Sequence, residues 1–98
     1  MQFLVLTEDA YEVDWTDQQD LLKAEARTVW KLQRSGALRS IWFTQAHDAV
    51  LLFEADDEDA VQEVMEIMPL VREGLLTYTV LGLQPYTGLE RLFKGTDA

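Results

Sequence analysis

Four strand-like runs of this chain carry apolar residues on both faces, yet only two amphipathic helical stretches are available to cover them. Residues 3–6 (Phe-Leu-Val-Leu) and 50–53 (Val-Leu-Leu-Phe) are continuous apolar runs, the pattern of strands covered on both sides. Side chains alternate along a strand, so Trp42 and Phe43 must point to opposite faces of any sheet they join. Two helices on one face leave the other face to be buried by something else. The 98 residues are the length of one domain. A domain of that size buries only about two thirds of the surface its unfolded chain exposes. A second copy, packed sheet against sheet, is the economical cover.

The order of elements follows from local signals. After the first strand, residues 8–14 form an acidic connector, with Tyr11 and Trp15 beside it. Thr16 can cap the first helix and Gln19 completes a capping-box spacing, with Asp17 and Asp20 at the positive end of the dipole. Gly36 provides the left-handed stop. Leu21, Leu22, Ala26, Val29, Leu32 and Gln33 share one helical face, and Lys23, Arg27, Lys31 and Arg34 share the opposite one. Residues 38–45 and 48–54 read as a hairpin. Asp56 is the expected cap of a second helix, which Asp57, Glu58 and Asp59 open and Pro69 ends. Gly74 turns the chain into a last strand, residues 75–83, and a tail follows over 85–98. The order βαββαβ is the ferredoxin-like plan of the α+β class. It predicts an antiparallel four-stranded sheet with two helices on one face, in one domain spanning residues 1–98, with the tail packing on a partner chain.

Composition removes several functions. Eighteen acids against eight bases give a net charge of −10, so phosphate backbones and anionic lipid surfaces repel this chain. No nucleic-acid or membrane partner is expected. Cysteine is absent and histidine occurs once, which leaves no thiolate nucleophile and no histidine cluster for a transition metal. The Asp-Asp-Glu-Asp run at 56–59 reads as a helix start, because a calcium loop needs a central glycine. No glycine-rich phosphate loop is present, and no metal site is expected. No signal segment is visible and no apolar run approaches the roughly 20 residues of a membrane span, so a cytoplasmic address is expected.

One residue breaks the helical pattern. Glu25 falls by helical angle between Leu32 and Val29, on the face meant for the core. A buried carboxylate must find a donor, such as Arg39, or hold its proton more tightly. A carboxyl held that way in an apolar cleft suits general acid/base chemistry near neutral pH. Histidine is the other side chain that changes charge in that range, and His47 lies in the hairpin turn. Its simplest reading is a solvated turn residue. Trp42 and Phe43 read most simply as sheet packing.

The run LKAEARTVWKLQRSGALRSIW, residues 22–42, resembles the first helix and second strand of the muconolactone Δ-isomerase family. The matching positions are Glu25, Leu32, Gln33, Arg34, Gly36 and Trp42; His47 and the segment Pro69, Leu70, Val71 are similar too, and the likeness extends over roughly residues 1–85. The resemblance implies a dimeric α+β barrel and cofactor-free chemistry, in which a carboxyl at the position of Glu25 moves a proton across an unsaturated lactone. Where family relatives place a base after the strand-two Trp, this chain has Phe43, and its first strand lacks a lysine. The implied pocket is therefore more apolar, and the acidic net charge disfavours an anionic substrate.

Three functions are weighed on these residues. The leading one is an isomerase or cyclase acting on a small, fairly apolar, enolisable lactone or polyketide-like ring. In it Glu25 is the acid/base and Tyr78 or His47 a hydrogen-bond donor to the enolate oxygen, with Leu22, Val29, Trp42, Phe43 and Tyr78 around the substrate, in a pocket between the first helix and the open sheet face. The second is a cofactor-independent monooxygenase of aromatic substrates, which the same barrel hosts. The third is a non-catalytic ligand-binding or assembly protein, favoured if Trp30, Trp42 and Phe53 fill the barrel.

Overall fold

The structure is a computed structural model and describes residues 1–93. Its elements are β1 (Gln2–Asp9), a 3-10 turn (Trp15–Asp17), α1 (Gln19–Ser35), β2 (Leu38–Phe43), β3 (Ala49–Glu54), α2 (Glu58–Ile67), the short α3 (Pro69–Arg72), β4 (Leu76–Leu83) and a second 3-10 turn (Gly88–Leu92). The sheet order is β2-β3-β1-β4, and each neighbouring pair is antiparallel. This is the expected ferredoxin-like α+β plan.

Register assigns the two faces. Phe3, Val5, Leu38, Leu51 and Phe53 point toward the helices and are buried with Val61 and Met65 of α2 and with Met68. Each such side chain contributes about 1.5–3 kcal/mol by leaving water. Two cross-strand rows occupy the other face: Leu81, Leu4, Leu52 and Ser40 in one, Thr79, Leu6, Val50 and Trp42 in the next. Trp42 stays 52% exposed and Leu81 43%. Tyr78 and Val80 lie on the helix side, packed against the core.

A bulge decides where the hairpin's aromatics go. The β2–β3 register shifts between Leu38 and Ser40, leaving Arg39 as the extra residue. One extra residue reverses the facing of everything beyond it. Ile41 and Phe43 therefore turn toward the helices, opposite Leu51 and Ala49, and Trp42 turns away from them, opposite Val50.

Helix ends differ in detail from the sequence pattern. The Thr16–Gln19 capping box does not form. Asp14 caps the 3-10 turn instead, accepting from the Thr16 amide at 3.1 Å and its hydroxyl at 2.5 Å, bonds that hold the Asp14 carboxyl below its ordinary range. α1 then starts from Gln18 with no side-chain cap. Asp57, not Asp56, caps α2, accepting from the Ala60 amide at 2.9 Å. Pro69 does more than end a helix, since it opens α3, where its missing N–H costs nothing. The α1 stop is as expected, with Gly36 left-handed at φ 86°. Gly36→Ala is expected to cost about 1 kcal/mol, because a Cβ is disfavoured in that conformation. The urea unfolding midpoint, at fixed protein concentration, checks it.

The two main helices pack differently. α2 buries Val61 and Met65, whereas none of the 17 residues of α1 is buried. Among the described residues no helix is long and apolar enough to cross a membrane. In the tail, Tyr86, Leu89, Leu92 and Phe93 are exposed; residues 94–98 lie outside the described residues.

Candidate active site

α1 stands off the sheet, and the space beneath it is the candidate site. Leu22, Glu25, Ala26, Val29, Trp30 and Gln33 recur at steps of three and four, so they form one stripe along the helix. All six line a cavity of about 670 Å³, within the usual range for small-molecule sites. Its opposite wall is the helix-side face of the sheet: Thr7 of β1, Ile41 and Phe43 of β2, Ala49 of β3 and Leu76 of β4. The hairpin loop brings Ala46, His47 and Asp48, and Asp9, Trp15 and Leu70 complete the lining. The pocket thus lies on the covered side of the sheet. The sequence-based expectation of a pocket against the open face is corrected, because the Arg39 bulge turns Phe43, rather than Trp42, under α1.

Glu25 is half-buried in this wall. Its Oε1 accepts a hydrogen bond from the Leu70 amide at 3.0 Å. That N–H belongs to the first turn of α3, where no helical carbonyl can reach it. Arg39 is not its partner; the guanidinium instead helps hold Glu54 ionised, after the larger effect of the Met1 ammonium on that carboxyl. Two influences compete at Glu25. Burial pushes its carboxyl above the ordinary range, and the Leu70 N–H pulls the other way; burial wins. No hydrogen bond within the described residues uses Oε2.

His47 arrives by a strained route. The His47 amide donates to Thr44 O at 2.9 Å, the Thr44 amide to Asp48 O at 2.8 Å, and the Asp48 amide to Thr44 Oγ1 at 3.2 Å. This hairpin needs one left-handed residue, a place where glycine or asparagine is usual. Here it is His47, at φ 68°, and no other non-glycine among the described residues has a positive φ. The conformation costs about 1–2 kcal/mol. It lays the imidazole flat on Phe43, with ring centroids 4.1 Å apart and planes 10° from parallel.

The structure brings Glu25, His47, Phe43, Leu22 and Val29 to one cavity. Trp42 and Tyr78 are not in its lining. Trp42 faces away, and the Tyr78 hydroxyl donates to Glu66 of α2 at 2.6 Å. Burial first, then that carboxylate, push the Tyr78 hydroxyl up to about 12, so it is committed as a donor to Glu66. Sequence reasoning did not place Trp30, Gln33, Trp15 or Ile41 in the site. For Trp30 and Gln33 a signal was available, because both continue the stripe that starts at Leu22 and Glu25. Nor do Trp30, Trp42 and Phe53 fill the interior together: Trp30 is 60% exposed at the cavity, Phe53 is in the core, and Trp42 is on the far face. Among the described residues no group of three or more His, Cys, Asp or Glu could hold a metal ion.

An antiparallel ferredoxin-like sheet that holds a carboxyl-bearing cavity under its first helix defines a class of small α+β domains with a ligand-sized site between helix and sheet. The family model described as muconolactone delta-isomerase matches residues 1–88, and the chain belongs to that family. No curated protein sequence matches. Among solved structures, muconolactone isomerase is similar at TM-score 0.75 and 22% identity, over 89% of this chain and 92% of that one. Also similar is the dehydrochlorinase TftG, which acts on 5-chloro-2-hydroxyhydroquinone, from Burkholderia phenoliruptrix AC1100, in complex with 2,5-dihydroxybenzoquinone; its TM-score is 0.73 at 18% identity, over 90% of this chain and 98% of that one.

Proposed function

We propose that this protein is a cofactor-free isomerase or cyclase that shifts a proton on a small, fairly apolar, enolisable substrate, with Glu25 as the general acid/base. The observation that carries this reading is Glu25 itself. It is the carboxyl within an otherwise mostly apolar helical stripe, desolvated, fixed through Oε1 to Leu70, and unengaged at Oε2. Membership of the muconolactone delta-isomerase family supports it.

In the proposed cycle the Glu25 carboxylate takes a proton from a carbon next to the substrate carbonyl. The C–H electron pair moves into a new C=C bond, and the carbonyl oxygen gains the negative charge. His47 donates a hydrogen bond to that oxygen as the charge develops. In a substrate whose enolate is conjugated with a C=C bond, the protonated Glu25 then returns the proton to the far carbon of that system, which moves the double bond and restores the carboxylate. Burial suits the abstraction step, since a carboxyl held above its ordinary range is a stronger base when ionised. Leu22, Val29 and Phe43 supply apolar contact to the ring.

The test is solvent deuterium incorporation into an enolisable probe, β-tetralone, followed by NMR. Exchange that depends on the protein and is lost in Glu25→Gln supports the reading; protein-independent exchange would place the chain with non-catalytic ligand binders. Oxygen uptake coupled to turnover would instead identify the carbanion with a monooxygenase. His47→Gly gives a second expected result. Relief of the left-handed strain and loss of the Phe43 stack are each about 1 kcal/mol and oppose one another. The unfolding midpoint should therefore barely move, while the exchange rate falls by about 10²-fold with the lost donor.

We further propose that the protein is a homodimer through the open sheet face. Leu6, Trp42, Leu81 and Leu83 are exposed there, beside Leu4, Val50 and Leu52.

A further inference from the structure

Apart from His47, every ionisable side chain in the cavity lining is a carboxyl. Asp9, Glu25 and Asp48 line it, and no lysine or arginine does. A carboxylate can only accept hydrogen bonds. Asp9 uses one oxygen, Oδ2, to accept from Trp15 Nε1 at 3.1 Å, and Glu25 uses Oε1 on the Leu70 amide. No hydrogen bond within the described residues uses the Asp48 side chain. The cavity thus presents spare acceptor oxygens on a mostly apolar wall, which also carries Thr7, Gln33 and His47. Its aromatic members are the stacked Phe43–His47 pair and the indoles of Trp15 and Trp30. Aromatic faces of this kind are best matched by a flat ring.

We propose that the site takes an uncharged, flat ring bearing hydroxyl groups, and that it rejects carboxylate-bearing ligands. Hydroxyls donate to the spare carboxylate oxygens. A ligand carboxylate would bring an anion among three carboxyl side chains, with no lysine or arginine in the lining to offset it, inside a chain whose net charge is −10. This deepens the function proposed above by naming the substrate class of the same cavity, and it sets this chain apart from a site built for an anionic lactone.

Matched ligands test the proposal: β-naphthol, its methyl ether and β-naphthoate, titrated into the full chain by calorimetry at low and at high salt. The expected order is β-naphthol tighter than the ether by at least about tenfold, since a hydrogen bond to a charged group is worth that much. β-Naphthoate should be the weakest, and its gap to the ether should narrow as salt is added and in Asp48→Asn. The proposal is overturned if the naphthoate binds as tightly as the ether, if the ether matches the naphthol, if salt and Asp48→Asn leave the gap unchanged, or if none of the three binds by about 10 mM. The proton-transfer reading fails separately, when β-tetralone exchange does not depend on Glu25.

Discussion

Glu25→Gln is expected to slow deuterium exchange into β-tetralone by about 10²–10⁴-fold, the usual contribution of a positioned general acid/base. Gln keeps the size of the side chain and an oxygen that can still accept from the Leu70 amide. The cavity should therefore persist, and β-naphthol should still bind. A loss of exchange with retained binding separates chemistry from collapse of the site. The same substitution has a stability signature with a definite sign. Because burial raises the Glu25 carboxyl in the folded chain, the folded state holds that proton more tightly than the unfolded state does. Wild-type stability is then unaffected by this group below its unfolded value of about 4.3, and falls as pH rises through the higher folded value. Gln does not titrate. The urea midpoint of Glu25→Gln should match wild type in acid and exceed it above neutrality. A midpoint that drops at high pH would mean that the carboxylate is a structural ion-pair partner rather than a strained, poised group.

That Glu25 could be found from the sequence, while its surroundings could not, has a physical reason. A carboxylate on the apolar side of a 3.6-residue period is visible in the chain alone, and so is a left-handed stop at Gly36, because both depend on residues within one helix. The element order was legible for the same reason: each strand and helix carries its own period. What was not legible depends on contacts between elements. The Arg39 bulge exchanges Trp42 for Phe43 beneath α1, and no local pattern in residues 38–43 announces it. The hairpin's left-handed residue is a histidine where glycine would have been the readable signal, so the approach of His47 to the cavity was hidden. The helix starts also depart from the local pattern: Asp57 rather than Asp56 caps α2, and Asp14 caps the 3-10 turn while α1 starts from Gln18 with no side-chain cap. Trp30 was readable but ambiguous, since an apolar stripe looks the same whether it faces a packed core or a cavity. Only the absence of buried residues along α1 separates the two.

Leu81→Asp is expected to convert the proposed dimer to monomer at micromolar concentration, read by sedimentation against the mass of the single chain. Leu81 sits on β4 opposite Leu4, which in turn sits opposite Leu52, so the substitution puts a charge into a continuous apolar row. In the single chain that row meets water, where an aspartate is well solvated, and the sheet's other face and core are untouched. The far-UV spectrum should therefore be unchanged. In a sheet-to-sheet dimer the carboxylate would be desolvated twice, once in each copy, with no base in the row to pair with it. Removing a charge from water without a partner costs several kcal/mol. Two such costs exceed what a small interface can absorb, because a standard interface buries only about 800 Å² per partner and much of its gain is consumed by lost rotational and translational freedom. Trp42→Arg lies on the adjoining row and should act in the same direction, less strongly, since a long side chain can carry its charge to the rim. If both variants sediment as wild type does, the open face is not the contact, and the apolar rows of β1, β3 and β4 must be covered by something other than a second copy of the same sheet.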